Sequence, residues 1–218
     1  MPILRLFPLN TVVFPGQRIP LHIFEPRYRQ LVREVLDEDA EFGIALIKQG
    51  REAGGGATPV DVGCAVRIVD AYETEDGRWD IVCEGIRRFR ITENLGEDPF
   101  LRCEVEFLGP PEDAQDEPAQ EAARELAEIY GEHLRLILSL QDCWQRDFPV
   151  PRSSIALADL VAARLEIPQS VKQELLESPQ VARRLEMLVE VLAVENGQLK
   201  RRLAGHQRKR VAGLGVLN

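Results

Sequence analysis

Lysine is scarce: Lys48, Lys172, Lys200 and Lys209 are the only four in 218 residues, and none adjoins a nucleophile motif. That leaves no visible serine–lysine pair. The three histidines, His22, His133 and His206, show neither H-E-x-x-H nor H-x-x-x-H spacing, so no metal site is expected. The four cysteines, Cys64, Cys83, Cys103 and Cys143, form no C-x-x-C pair. The first three sit in strand patterns among apolar residues and are expected as reduced core positions of a cytoplasmic protein. No stretch approaches the roughly 20 apolar residues of a membrane span. The chain does not open with a basic stretch, an apolar run and a cleavage site, so no secretory leader is expected. A G-x-x-x-x-G-K-[ST] loop is missing. Gly54-Gly55-Gly56 does not replace it, because it leads into a strand and offers a phosphate no helix N-terminus. Cations are in deficit, 27 against 36 carboxylates for a net charge of −9. This balance disfavours broad contact with nucleic acid or anionic membranes.

What is present begins with two apolar strand patterns and a helix. Ile19, Leu21 and Ile23 share one strand face by the period of two, which sends His22 to the other face as a polar strand residue. Pro26 fits the first helical position, and Glu25 places a carboxylate at the positive end of the helix dipole. Tyr28, Leu31, Val32, Val35 and Leu36 form the inward stripe. Phe42, Ile44 and Leu46 indicate another strand, and 50–59 a mobile glycine-rich loop. The strands 62–72 and 79–82 should pair around the Asp76-Gly77 turn. Leu101, Cys103, Val105 and Phe107 alternate with charged residues as a half-buried strand. Several short strands with turn signals favour a small barrel or sandwich.

The acidic, proline-bearing stretch 109–118 reads as a linker, and everything after it as helical. Ala123, Leu126, Ile129, Tyr130, Leu134, Ile137 and Leu138 make one stripe, with His133 in a partly buried structural role. Ser153 or Ser154 can cap the next helix, with Leu157, Leu160, Val161 and Leu165 inward. Pro168 opens a short helix. Ser178-Pro179 offers a cap for a long helix carrying Val181, Leu185, Leu188, Leu192, Leu199 and Leu203 at near-heptad spacing. Glu195 interrupts that seam, and Gly197 weakens the helix by about 1 kcal/mol relative to alanine. The basic run 200–210 is either a solvated helix end or a docking patch for an acidic partner or nucleic acid.

Three spaced blocks resemble the N-terminal substrate-binding domain of Lon proteases: Pro20-Leu-His-Ile-Phe-Glu-Pro-Arg-Tyr-Arg29 after 7–16; Val62-Gly-Cys-Ala with Asp76-Gly77 and Glu84-Gly-Ile-Arg-Arg-Phe-Arg-Ile91; and Ser178-Pro through Leu188. The wording of the first block resembles members made of this domain alone. The resemblance implies an α+β fold, with a PUA-like small β-barrel lobe carrying one helix over 1–109. A helical lobe ending in a long helix would follow over 118–210, with a frayed tail over 211–218. It further implies a non-catalytic polypeptide-binding module, alone or as an adaptor for unfolded or tagged proteins, with a protease or chaperone as possible partner. No cofactor, no metal and no catalytic residue are expected, nor ATP hydrolysis or proteolysis. The alternative is an RNA-binding protein using the PUA-like lobe and the basic tail, against which the net negative charge counts.

The expected polypeptide-binding surface lies near the start of the first helix, at Phe14, Phe24, Glu25, Arg27 and Arg29. Pro15-Gly16 and Glu25-Pro26 bracket turns that could leave either phenylalanine accessible beside charge. Trp79 is a further aromatic candidate. Glu25 and Arg29 stand four apart on one helix face, as an ion pair would. Glu84, Arg87, Arg88 and Arg90 could hold substrate or order the fold.

Overall fold

The computed structural model describes residues 1–145 and 148–214, with side chains described through residue 205. The chain divides into two compact units: Met1–Pro110 with Ala162–Ser178, and Pro111–Val161 with Pro179–Asn218.

The first unit is built on strands β1 (Ile3–Leu9), β2 (Arg18–Ile23), β3 (Phe42–Gln49), β4 (Thr58–Pro59), β5 (Val62–Glu73), β6 (Trp79–Glu97) and β7 (Leu101–Phe107). Antiparallel pairing runs β1–β7–β6–β5–β3, and β3 then pairs parallel to β1, which closes five strands into a barrel. Closure removes the free edges that an open sheet would carry. The interior is filled by Leu4, Leu6, Ala45, Ala65, Phe89, Leu101, Cys103 and Val105. Phe89 dictates its neighbours. A Cβ on Gly63 would lie 2.5 Å from the Ile44 carbonyl oxygen and 2.6 Å from the Phe89 ring. Glycine at 63 is therefore a packing requirement of the barrel.

Helix α1 (Pro26–Glu38) covers the outside of the strands. Alternate residues of the same strands, Phe42, Ile44, Cys64, Val66, Ile81 and Cys83, join Tyr28, Leu31, Val32 and Val35 in a second core. The predicted stripe is inward except at Leu36, which is 38% exposed. Three strands continue past the barrel, because the first part of β6 pairs with β5 on one side and β2 on the other.

The sequence-based boundary near 109–118 needs one correction. Ala162–Ser178 groups with the strands, and it carries α4 (Gln169–Glu177). Its polar groups explain why. Arg88, only 7% exposed, donates from Nη1 to the carbonyls of Leu176 (2.9 Å) and Ser178 (2.8 Å). Gln173 donates to the Val62 carbonyl at 2.9 Å, and the Val12 amide donates to Gln169 Oε1 at 2.9 Å.

The second unit pairs α2 (Glu117–Leu140) with α5 (Val181–Leu214), beside most of α3 (Ser154–Arg164). The acidic stretch expected as a linker contains a 3-10 turn at Glu112–Gln115. Asp113 in that turn accepts the amides of Val181 and Ala182, each at 3.0 Å. Asp113 thus satisfies the amides of Val181 and Ala182 at the start of α5. The polar residue in the α5 seam is Asn196, 3% exposed, and not Glu195, because the buried stripe steps by four from Leu192 and three more to Leu199. Asn196 Oδ1 lies 2.8 Å from His133 Nδ1, and its amide donates to the Ile129 carbonyl at 3.1 Å. Arg184 and Asp159 form a buried ion pair at 2.9 Å. The long helix extends past the expected end at 210 to Leu214, and the rest of the expected tail lies outside the described residues.

Candidate functional site

The three-strand extension of the first unit has one packed face and one open face. Ile19, Leu21, Ile68, Ala71 and Trp79 pack against the core under α1. The open face is a ladder set by register. His22 opposes Asp80, which opposes Tyr72; Pro20 opposes Val82, which opposes Asp70. A shift in β5 between Ile68 and Asp70 brings Asp70 and Tyr72 onto this face. These residues, with parts of Leu21 and Ile81, line a groove of about 450 Å³. Its floor is apolar and its rim is polar. Tyr72 is 65% exposed, and Phe24, whose ring lies 6.4 Å from His22, is 54% exposed. His22 Nδ1 meets Asp80 Oδ1 at 2.7 Å, fixing the imidazole beside the groove.

The residues singled out in the sequence separate into different environments. Phe14 is fully buried, so it presents no side chain to a partner. Its backbone is buried too: Gly85 approaches so closely that a Cβ there would lie 2.2 Å from the Phe14 carbonyl oxygen. Trp79 points into the core and is no part of an exposed patch. Phe24 alone among these aromatics faces solvent.

Glu25, Arg27 and Arg29 organise neighbouring loops. Arg27 donates to Glu25 at 3.1 Å and to Glu97 at 2.6 Å, and its guanidinium lies 4.3 Å over the Tyr28 ring. Glu97 accepts the Gly56 amide at 3.1 Å, and Glu25 accepts that of Gly54 at 3.4 Å. This network ties the glycine-rich loop to the start of α1. Burial pushes the Tyr28 phenol up to about 12, keeping it neutral beneath Arg27. The expected Glu25–Arg29 pair does not form. Arg29 instead donates to the Gly77 carbonyl at 3.2 Å, holding the hairpin turn. Of the second charged run, Arg88 caps α4, Arg87 pairs with Glu41 at 2.9 Å, and Glu84 with Arg18 at 2.9 Å.

The groove itself was not singled out in the sequence. Strict alternation places Tyr72 on the inward face of Val66 and Ile68, and only the shift between Ile68 and Asp70 turns it outward. Assembling it with Pro20 and Asp80 requires three strands that the sequence alone does not register.

Chemical machinery is sparse. Among the described residues, no group of three or more His, Cys, Asp or Glu could hold a metal ion. Burial pushes the Cys83 and Cys103 thiols up to about 12 and about 11, far from a reactive thiolate. No described helix is long and apolar enough to cross a membrane.

Comparison with known proteins gives the site its context. The family described as the ATP-dependent protease La (Lon) substrate-binding domain matches residues 3–194. The crystal structure of a Lon N-terminal domain protein from Xanthomonas campestris superimposes with a TM-score of 0.65 at 28% identity, covering 87% of this chain and 98% of that one. The Lon protease of Paraburkholderia phytofirmans is 30% identical over 198 residues, which is 88% of this chain and 24% of that protein. The Lon protease of Anaeromyxobacter dehalogenans is 25% identical over 87% of this chain and 23% of its own length. The chain thus spans about a quarter of the curated relatives it matches. It belongs to the Lon substrate-binding domain family.

Proposed function

We propose that this chain is a recognition module for unfolded or tagged polypeptides, with no chemical step of its own. It would serve alone or as an adaptor that presents clients to a protease or chaperone. The observation that carries this reading is the open face of the three-strand extension, where Phe24 and Tyr72 stand exposed beside the apolar-floored groove. Apolar surface rimmed by polar groups suits extended segments, because it buries side chains without demanding one sequence. Ordering the bound segment opposes association, so the affinity should be about micromolar. Phe24 is the expected contact residue, while Glu25, Arg27 and Arg29 shape the loops around it. The acidic rim works against an RNA ligand.

The test is a titration of a labelled, permanently unfolded polypeptide against wild type and Phe24→Ser, with melting measured in parallel. Wild type should saturate, and Phe24→Ser should bind several-fold more weakly at an unchanged melting temperature. Wild type without saturable binding, or a folded Phe24→Ser that binds equally well, would overturn this assignment.

A further inference from the structure

Resting on the polypeptide-binding reading, we infer that the groove selects segments carrying an arginine or lysine next to apolar residues. Three features lead there. The first is charge. Asp70 and Asp80 both line the groove, on adjacent strands and two residues out of register, since Asp70 opposes Val82. Such diagonal neighbours stand roughly 7 Å apart, a gap that one guanidinium or ammonium group fills. Asp80 has His22 as a partner, whereas the Asp70 carboxylate has no side-chain partner among the described residues.

The second feature is the Tyr72 ring, which opposes Asp80 and is 65% exposed. An aromatic face attracts a cation, most favourably a planar guanidinium that stacks on it. The third is the lack of competition from the protein's own cations. Arg18, one rung along the ladder, is held by Glu84 at 2.9 Å; Arg78 is held by Asp76 at 2.9 Å, and Arg67 lies 3.7 Å from Glu41. Pro20 and Val82 supply apolar floor for the side-chain stem and for its neighbours in the segment.

The deciding experiment measures fluorescence anisotropy with two labelled, unfolded peptides identical except for two central arginines replaced by glutamine. At low ionic strength the arginine peptide should bind wild type about tenfold more tightly. Asp70→Asn and Tyr72→Ala should each reduce that preference to twofold or less. Asp70→Lys should reverse it toward a matching glutamate peptide, which a fold defect could not do. Circular dichroism establishes that each variant is folded. If the two peptides bind wild type equally, or the preference survives in folded Asp70→Asn, the cation selectivity is wrong while polypeptide binding stands. If no peptide binds at all, both readings fall.

Discussion

Single atoms decide what three glycines and two phenylalanines do. A Cβ on Gly85 would meet the Phe14 backbone, which cannot rotate away, while Gly16 and Gly85 are joined by a 2.8 Å backbone hydrogen bond. Gly85→Ala should therefore destabilise by about 2–3 kcal/mol, as overpacking does, and Gly63→Ala comparably. Gly197 has nothing within 4 Å of its hypothetical Cβ and sits inside α5. Gly197→Ala should stabilise by about 0.5–1 kcal/mol. Denaturant midpoints with unchanged slopes would show both signs; destabilisation at all three sites would refute the steric distinction. The two phenylalanines divide in the same way. Phe14→Ser empties a fully buried site and should cost about 3–5 kcal/mol, whereas Phe24→Ser should leave stability within about 0.5 kcal/mol. Nothing local in the sequence separates them, since each flanks a proline-bearing turn; burial is settled by which strand packs above.

At the scale of elements, the long helix starts on a carboxylate 68 residues away. Burial pushes the Asp113 carboxyl up, but the Val181 and Ala182 amides outweigh it and hold the group below its ordinary value. A depressed folded-state pKa stabilises above the unfolded value and loses that contribution as pH falls through the folded one. Asp113→Ala should cost about 1 kcal/mol at neutral pH, as other cap removals do. The gap to wild type should narrow as pH falls below the ordinary value of 3.8. Melting curves across that range would refute the cap if the gap stayed constant. Arg88 acts at the opposite pole of α4, where a cation complements the helix dipole. Arg88→Met strands two carbonyl acceptors and should cost about 3 kcal/mol, read from the same denaturation series. Strand periods, the Asp76-Gly77 hairpin and the amphipathic α1 were legible because each is written within a dozen residues. The cap by Asp113, the seating of α4 by Arg88 and the groove were not, because each joins residues far apart in sequence.

For the whole molecule, the net charge of −9 and the two groove carboxylates carry the same sign. A cationic segment is thus attracted at long range by the molecule and at short range by Asp70 and Asp80. Steering of this kind acts on the association rate and is screened by salt, with a Debye length of about 10 Å at 0.1 M. Apolar contacts at Phe24, Pro20 and Val82 act on dissociation and are insensitive to such screening. Stopped-flow mixing with the arginine peptide should therefore show association slowing by about tenfold between 0.02 M and 0.3 M salt, an order of magnitude typical of steered encounters. Dissociation should change less, because the apolar part of the contact persists. The glutamine peptide should show neither trend. A salt response confined to dissociation, or shared equally by both peptides, would place the charge effect away from the groove and leave the apolar face as the sole determinant of binding.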